Sequence, residues 1–151
     1  MQHTYEKLYH RIKKVLEKNV DAQAGYLKAA DIAQHEDVKL FFKQKAYHRG
    51  LFNERLMFEV NYSFDAPKIE GSITTDNSRN FYMDIKEGLL NTSDESLLEK
   101  SIKGDKIALK DYEDLLQHSM LPLSIRFIVK EQVTVIKLDR LKMEQLINFS
   151  I

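Results

Sequence analysis

The stretch QKAYHRGLFNERL, residues 44–56, places two polar side chains, Lys45 and His48, where the apolar stripe of a helix should continue. Three residues apart, they share one helical face. In helical bundles that carry a metal pair, this spacing is occupied by Glu-x-x-His, both side chains projecting inward. An imidazole can ligate a transition metal. A lysine ammonium has no lone pair to offer and repels a nearby cation. Three readings follow from the residues alone. The pair can lie on a helix flank, with the Lys45 stem on apolar surface and its head in water. Lys45 can instead turn inward and pair with Asp105 or Glu131, which requires good hydrogen bonding because desolvation is costly. Or His48, Asp105 and Glu131 can hold a single metal, since three N/O ligands plus water suffice for zinc.

The same interruption recurs along the chain. Extending each apolar stripe brings in Asn19 and Gln23 in the first helical segment, Asp105 in the third and Glu131 and Thr134 in the last. At roughly 1.5 Å rise per residue, counted from the turns, Gln23, Lys45, Asp105 and Glu131 stand within one or two turns of a common level. The expectation is one inward-facing polar layer near mid-bundle, containing Gln23, Lys45 and Thr134 beside the three candidate ligands. Tyr26 and Tyr112 flank it and read as core tyrosines whose hydroxyls find a carboxylate. His3, His10, His35 and His118 fall near helix ends or turns and read as solvated.

Long helices must position these residues. Tyr5, Leu8, Ile12, Val15, Tyr26, Ala30 and Ala33 recur at three-and-four spacing, predicting a helix over about 4–34. Glu36 and Asp37 then open a second helix, 37–60, where the dipole favours carboxylates. Its stripe runs through Val38, Phe41, Phe42, Leu51, Phe52 and Leu56. Pro67, Gly71 and clustered polar residues mark 61–78 as irregular, and a short helix is predicted over 77–90. Thr92-x-x-Glu95 fits a capping box for a helix over 93–118, carrying Leu98, Ile102, Leu109, Tyr112 and Leu116. Pro122 suits the first turn of a last helix, 122–147. The run IRFIVKEQVTVIKL is rich in β-branched residues and would also suit a strand. With no partner strand in the chain, Phe127, Leu138, Leu141 and Gln145 are read as a continuing helical stripe.

The chain has 151 residues, enough for one domain with a sizeable core, here taken as 1–151. Its 23 basic and 23 acidic residues cancel, and no basic stripe with interleaved aromatics points to nucleic acid. The absence of cysteine excludes disulfides and thiol chemistry and suits a reducing cytoplasm. No signal-like or membrane-spanning apolar run is visible, so the expected setting is soluble and cytoplasmic. No Gly-rich phosphate loop, G-x-S-x-G or HExxH occurs, and no residue is assigned as catalytic.

Several short motifs carry a resemblance: Asp21 with GY at 25–26, AAD at 29–31, Phe42, FNERL at 52–56, GDKIALKDYEDLL at 104–116 and DRL at 139–141. The chain resembles the ferritin-like superfamily, and within it a small bacterial family of uncharacterised four-helix proteins. That resemblance implies an all-α, ferritin-like four-helix bundle of two helical hairpins, with a long crossover holding a short extra helix. Di-iron members supply Glu, Glu-x-x-His, Glu and Glu-x-x-His in helix order. The corresponding positions here read Gln23, Lys45-x-x-His48, Asp105 and Glu131-x-x-Thr134. One His and two carboxylates remain of six ligands, and Lys45 argues against a di-iron centre. The expected function is a non-enzymatic bundle with a degenerate di-metal site and an interaction or stress-related role, the expected partner being a second copy of itself. No cofactor is expected; the alternative is a single zinc or iron on His48, Asp105 and Glu131. The aromatics of NYSF and NFYM beside the crossover are candidates either for a contact surface or for a cover over the bundle end.

Overall fold

The computed structural model describes residues 2–64, 82–83 and 93–149. Every secondary-structure element among them is a helix: α1 Gln2–Ile32, α2 Glu36–Ser63, α3 Asp94–Leu116 and α4 Leu123–Phe149. The short helix expected over 77–90 lies outside the described residues, apart from Tyr82 and Met83, which form a bend. No described helix is long and apolar enough to cross a membrane.

Two antiparallel hairpins, α1–α2 and α3–α4, pack so that α2 contacts α4 and α1 contacts α3. Local chemistry sets the ends. Glu36 and Asp37 occupy the first turn of α2, where the exposed N–H groups favour negative charge. The first turn of α3 is capped by Ser93, whose Oγ accepts from the Ser96 N–H at 3.1 Å, one residue beyond the expected Thr92. Buried Asp94 reaches back to the other hairpin. Its two carboxylate oxygens accept from the backbone N–H groups of Gln34 and His35, each at 2.9 Å, and so tie the α1–α2 turn to the start of α3. At the α3–α4 turn the Arg126 guanidinium donates to the carbonyls of Leu116 and His118, a cation at a helix C-terminus. Pro122 accepts the first bond of α4, from Arg126 N–H, and stands just before the helix.

The core runs the length of the bundle, through Leu8, Ile12, Leu16, Phe42, Leu56, Leu98, Leu115 and Ile136. The β-branched run of α4 is helical because alternate residues do not share its buried side. Ile125, Val129, Gln132, Ile136, Asp139 and Met143, spaced by three and four, face inward. The stripe read from the sequence, Phe127, Leu138, Leu141 and Gln145, is the opposite side of this helix and is exposed. Leu51 of α2 is likewise exposed. Both helices carry two apolar stripes, and spacing alone does not say which one meets the core.

Two residues of the crossover, Tyr82 and Met83, lie over the seam between α1 and α3. Tyr82 and Met83 are buried there, and a Cβ at Gly25 or Gly104 would collide with the Met83 or Tyr82 carbonyl. Both glycines therefore admit a close backbone approach. The Tyr82 hydroxyl donates to Asp111 Oδ2 at 2.6 Å, and Lys18 Nζ reaches the same oxygen at 3.0 Å. Phe64 is buried too, its ring tilted against that of Tyr5 with centroids 4.6 Å apart. Phe64, Tyr82 and Met83 thus cover the bundle, whereas Tyr62 faces solvent.

Candidate functional site

All four helices contribute to a buried ionic layer. From α2, Lys45 and Arg49 stand one turn apart and point inward, 2% and 1% exposed. Lys45 Nζ donates to Asp105 Oδ2 of α3 at 2.5 Å and to Asp139 Oδ2 of α4 at 3.3 Å. Arg49 Nη1 donates to Asn19 Oδ1 of α1 at 2.8 Å, and Nη2 stands 3.5 Å from Asp105 Oδ1. The Tyr26 hydroxyl donates to that same Asp105 oxygen at 3.3 Å. Tyr112 donates to Asn19 Oδ1 at 2.6 Å, and the Asn19 amide donates to the Val15 carbonyl at 2.9 Å. Both cations also lie over the Tyr26 ring, Lys45 Nζ 5.1 Å and Arg49 Cζ 5.2 Å from its centroid. The negative ring face adds to their stabilisation.

Two cations meet two carboxylates, so the layer carries no net charge. Burial of this kind is tolerated only when hydrogen bonds replace water, and here Asp105 accepts from Tyr26 of α1 and Lys45 of α2, with the Arg49 guanidinium as a second cation 3.5 Å away. The surrounding hydroxyls are held protonated. Burial, reinforced by Asp105, pushes the Tyr26 hydroxyl well above its ordinary pKa. Burial pushes Tyr112 up to about 12, against the opposing pull of Arg49. Burial next to Tyr112 and Asp111 raises Tyr82 as well. Desolvation works against the Arg49 charge, but Tyr26, Tyr112 and Asp105 outweigh it and hold the guanidinium above its usual value. Chemically, the arrangement binds cations to carboxylates; the Lys45 nitrogen is engaged by two acids and is not poised as a nucleophile.

The candidate residues separate into two places. Lys45 and Asp105 meet inside the layer. Gln23 is half-buried, its amide filling the space beside Gly50. His48 is exposed beside Tyr47. Glu131 is exposed and pairs with Arg55 at 2.6 Å. Thr134 is exposed and donates to the Lys130 carbonyl at 3.3 Å, so it belongs to the outer side of α4 rather than to the buried layer. His48 and Glu131 line one groove between α2 and α4, with Asp105 on the far side of the helix wall. Among the described residues no three His, Asp or Glu side chains converge as a metal site would need. The Lys45 partner on α4 is Asp139, two turns beyond Glu131. The polar layer read from the sequence lacks Arg49 and Asp139, although Arg49 lies four residues from Lys45 on the same face and Asp139 opens the DRL motif at 139–141. Asp139 follows the inner stripe of α4 that the outer one obscured.

Four amphipathic helices closed around a neutral ionic layer define an all-α bundle whose centre is built from side-chain charges. Residues 7–118 match the family described as Domain of unknown function (DUF2383), and the chain belongs to that family. The matched span runs from α1 to the end of α3, taking in Asn19, Lys45, Arg49 and Asp105 and stopping short of Asp139. Neither the curated proteins nor the solved structures gave a match.

Proposed function

We propose that this protein is a non-enzymatic, ferritin-like bundle that acts through protein contacts, with Lys45 and Arg49 in the charge role that a metal pair has in the di-iron bundles. The observation that carries this reading is the Lys45 ammonium bonded to Asp105 and Asp139 in the bundle interior. In a di-metal bundle inward carboxylates on facing helices are neutralised by cations bound between them. Here a side chain supplies the positive charge from within the fold, which removes both the need for a metal and the room for one. Oxidative chemistry would have no centre to start from, and an interaction or stress-related role in a bacterial cytoplasm fits the remainder.

Metal content tests this directly. Protein purified without chelator should carry no stoichiometric iron or zinc, and its melting temperature should not respond to added divalent metal. Lys45→Glu should invert that behaviour: three carboxylates would then share the layer, and zinc or manganese should raise the melting temperature of the variant. Stoichiometric metal in the native protein, lost on His48→Ala, would overturn the proposal in favour of a site on His48, Asp105 and Glu131.

A further inference from the structure

The large apolar side chains left in solvent are distributed unevenly. Among the described residues α1 and α3 expose Leu27 and Ile107, whereas α2 and α4 expose nine, from 42% to 83% of their surface. On α2 they include Leu40, Leu51 and Phe58; on α4, Phe127, Leu138 and Leu141. The two stripes run side by side: Phe58 and Phe127 line one depression between the helices, and Leu51 and Leu138 line the next. With Tyr47 and Tyr62 on α2 and Leu123 on α4, successive members stand three, four, seven or eleven residues apart, the repeat of a seam that seats another helix. The opposite seam, between α1 and α3, is covered by Tyr82 and Met83 of the chain's own crossover.

We propose that this α2/α4 face is the interface of a two-fold symmetric homodimer. The proposal rests on the reading of the protein as an interaction module and not on the ionic layer. Three observations select a second copy. Nine large side chains, exposing 42–83% of roughly 150–200 Å² each, present on the order of 1,000 Å², enough for the roughly 800 Å² that one partner contributes to a standard stable interface. A two-fold operation returns the same face to itself, so each heptad-spaced stripe is offered a helical pair of matching repeat. Like copies also meet without repulsion: the seam's central charges, Arg55 and Glu131, are already paired with each other at 2.6 Å, and the chain's net charge is zero.

Sedimentation and light scattering across a dilution series should give the mass of two chains. Phe58→Glu combined with Leu138→Glu should raise the dissociation constant at least ~100-fold, because both copies then bury like charges at the centre of the contact. Leu27→Glu, on α1, should leave the dimer intact. Should the double variant lose helicity, the absence of native cysteine permits a second measurement: Phe127→Cys should yield a covalent dimer with a short thiol cross-linker, and Ile107→Cys should not. A monomer at every concentration overturns the proposal, as does a dimer that survives the helical double variant or cross-links equally from Ile107→Cys. A monomer would leave the metal-free core standing, and bound metal would leave the dimer standing, so the two readings fail separately.

Discussion

Replacing Lys45 by Met keeps the length and apolar stem of the side chain but withdraws the ammonium from between Asp105 and Asp139. Removing one partner of a buried ion pair costs about 3–5 kcal/mol, since the other is left charged and desolvated. The lower end applies here for two reasons. Arg49 still stands 3.5 Å from Asp105, and the Asp139 side chain keeps 10% exposure toward the α2/α4 groove. The expected loss is therefore about 3 kcal/mol, a large part of the ~5–15 kcal/mol that holds a domain together. Urea unfolding followed by far-ultraviolet circular dichroism measures it, with the slope expected to stay near that of the native protein. The double replacement Lys45→Met with Asp139→Leu should recover most of the loss, because exchanging both charges for apolar groups is often neutral. The resulting cycle should show a coupling of about 2 kcal/mol. A Lys45→Met protein within about 1 kcal/mol of the native one, uncoupled from Asp139, would refute the ionic layer as a determinant of stability.

Other perturbations reach different parts of the molecule. Tyr26, Tyr82 and Tyr112 have folded-state pKa values raised above the ordinary 10.0, so the folded state keeps protons that the unfolded chain releases. Their stabilising contribution is complete below pH 10 and is lost as pH rises through the folded values. Tyrosinate absorbance should thus show these three ionising only as helicity collapses; their ionisation near pH 10 with the helices intact would contradict this. Asp94→Ala removes both acceptors for the Gln34 and His35 N–H groups and should cost about 2–3 kcal/mol in denaturant unfolding, where a loss under ~0.5 kcal/mol would show the tie to be idle. Gly104→Ala forces a methyl into the Tyr82 carbonyl and should lower stability by about 1–3 kcal/mol; an unchanged melting temperature would mean that the crossover does not sit in this seam.

Much of this was legible in the sequence, and the boundary is physical. The all-α character follows from apolar spacing on α1 and α3, whose outer sides are polar and leave one orientation. Lys45 could be placed level with Asp105 by counting residues from the turns. The layer on α4 could not be placed, because that helix is apolar on two sides and its outer stripe, through Phe127 and Leu138, is as regular as its inner one. Choosing the outer stripe brought Glu131 and Thr134 forward and passed over Asp139. Gln23 and Asn19 illustrate a finer limit: both lie on one stripe a turn apart, and only the reach of Arg49 and Tyr112 decides that Asn19 is the buried acceptor. Asp94 reads locally as part of a helix start, and its contact with a turn sixty residues away leaves no trace in local spacing.

The sign of the buried charges differs between the two hairpins. Lys45 and Arg49 belong to α1–α2, while Asp105 and Asp139 belong to α3–α4. Either hairpin alone would hold two like charges on the face it must hide, which favours keeping that face in water. Only their meeting cancels the excess, and sliding one hairpin by a turn would break the Lys45 contacts with Asp105 and Asp139 found in this alignment. Half of this bundle is therefore not a smaller stable bundle: the halves commit to each other in one cooperative step, in one alignment, and should come apart together.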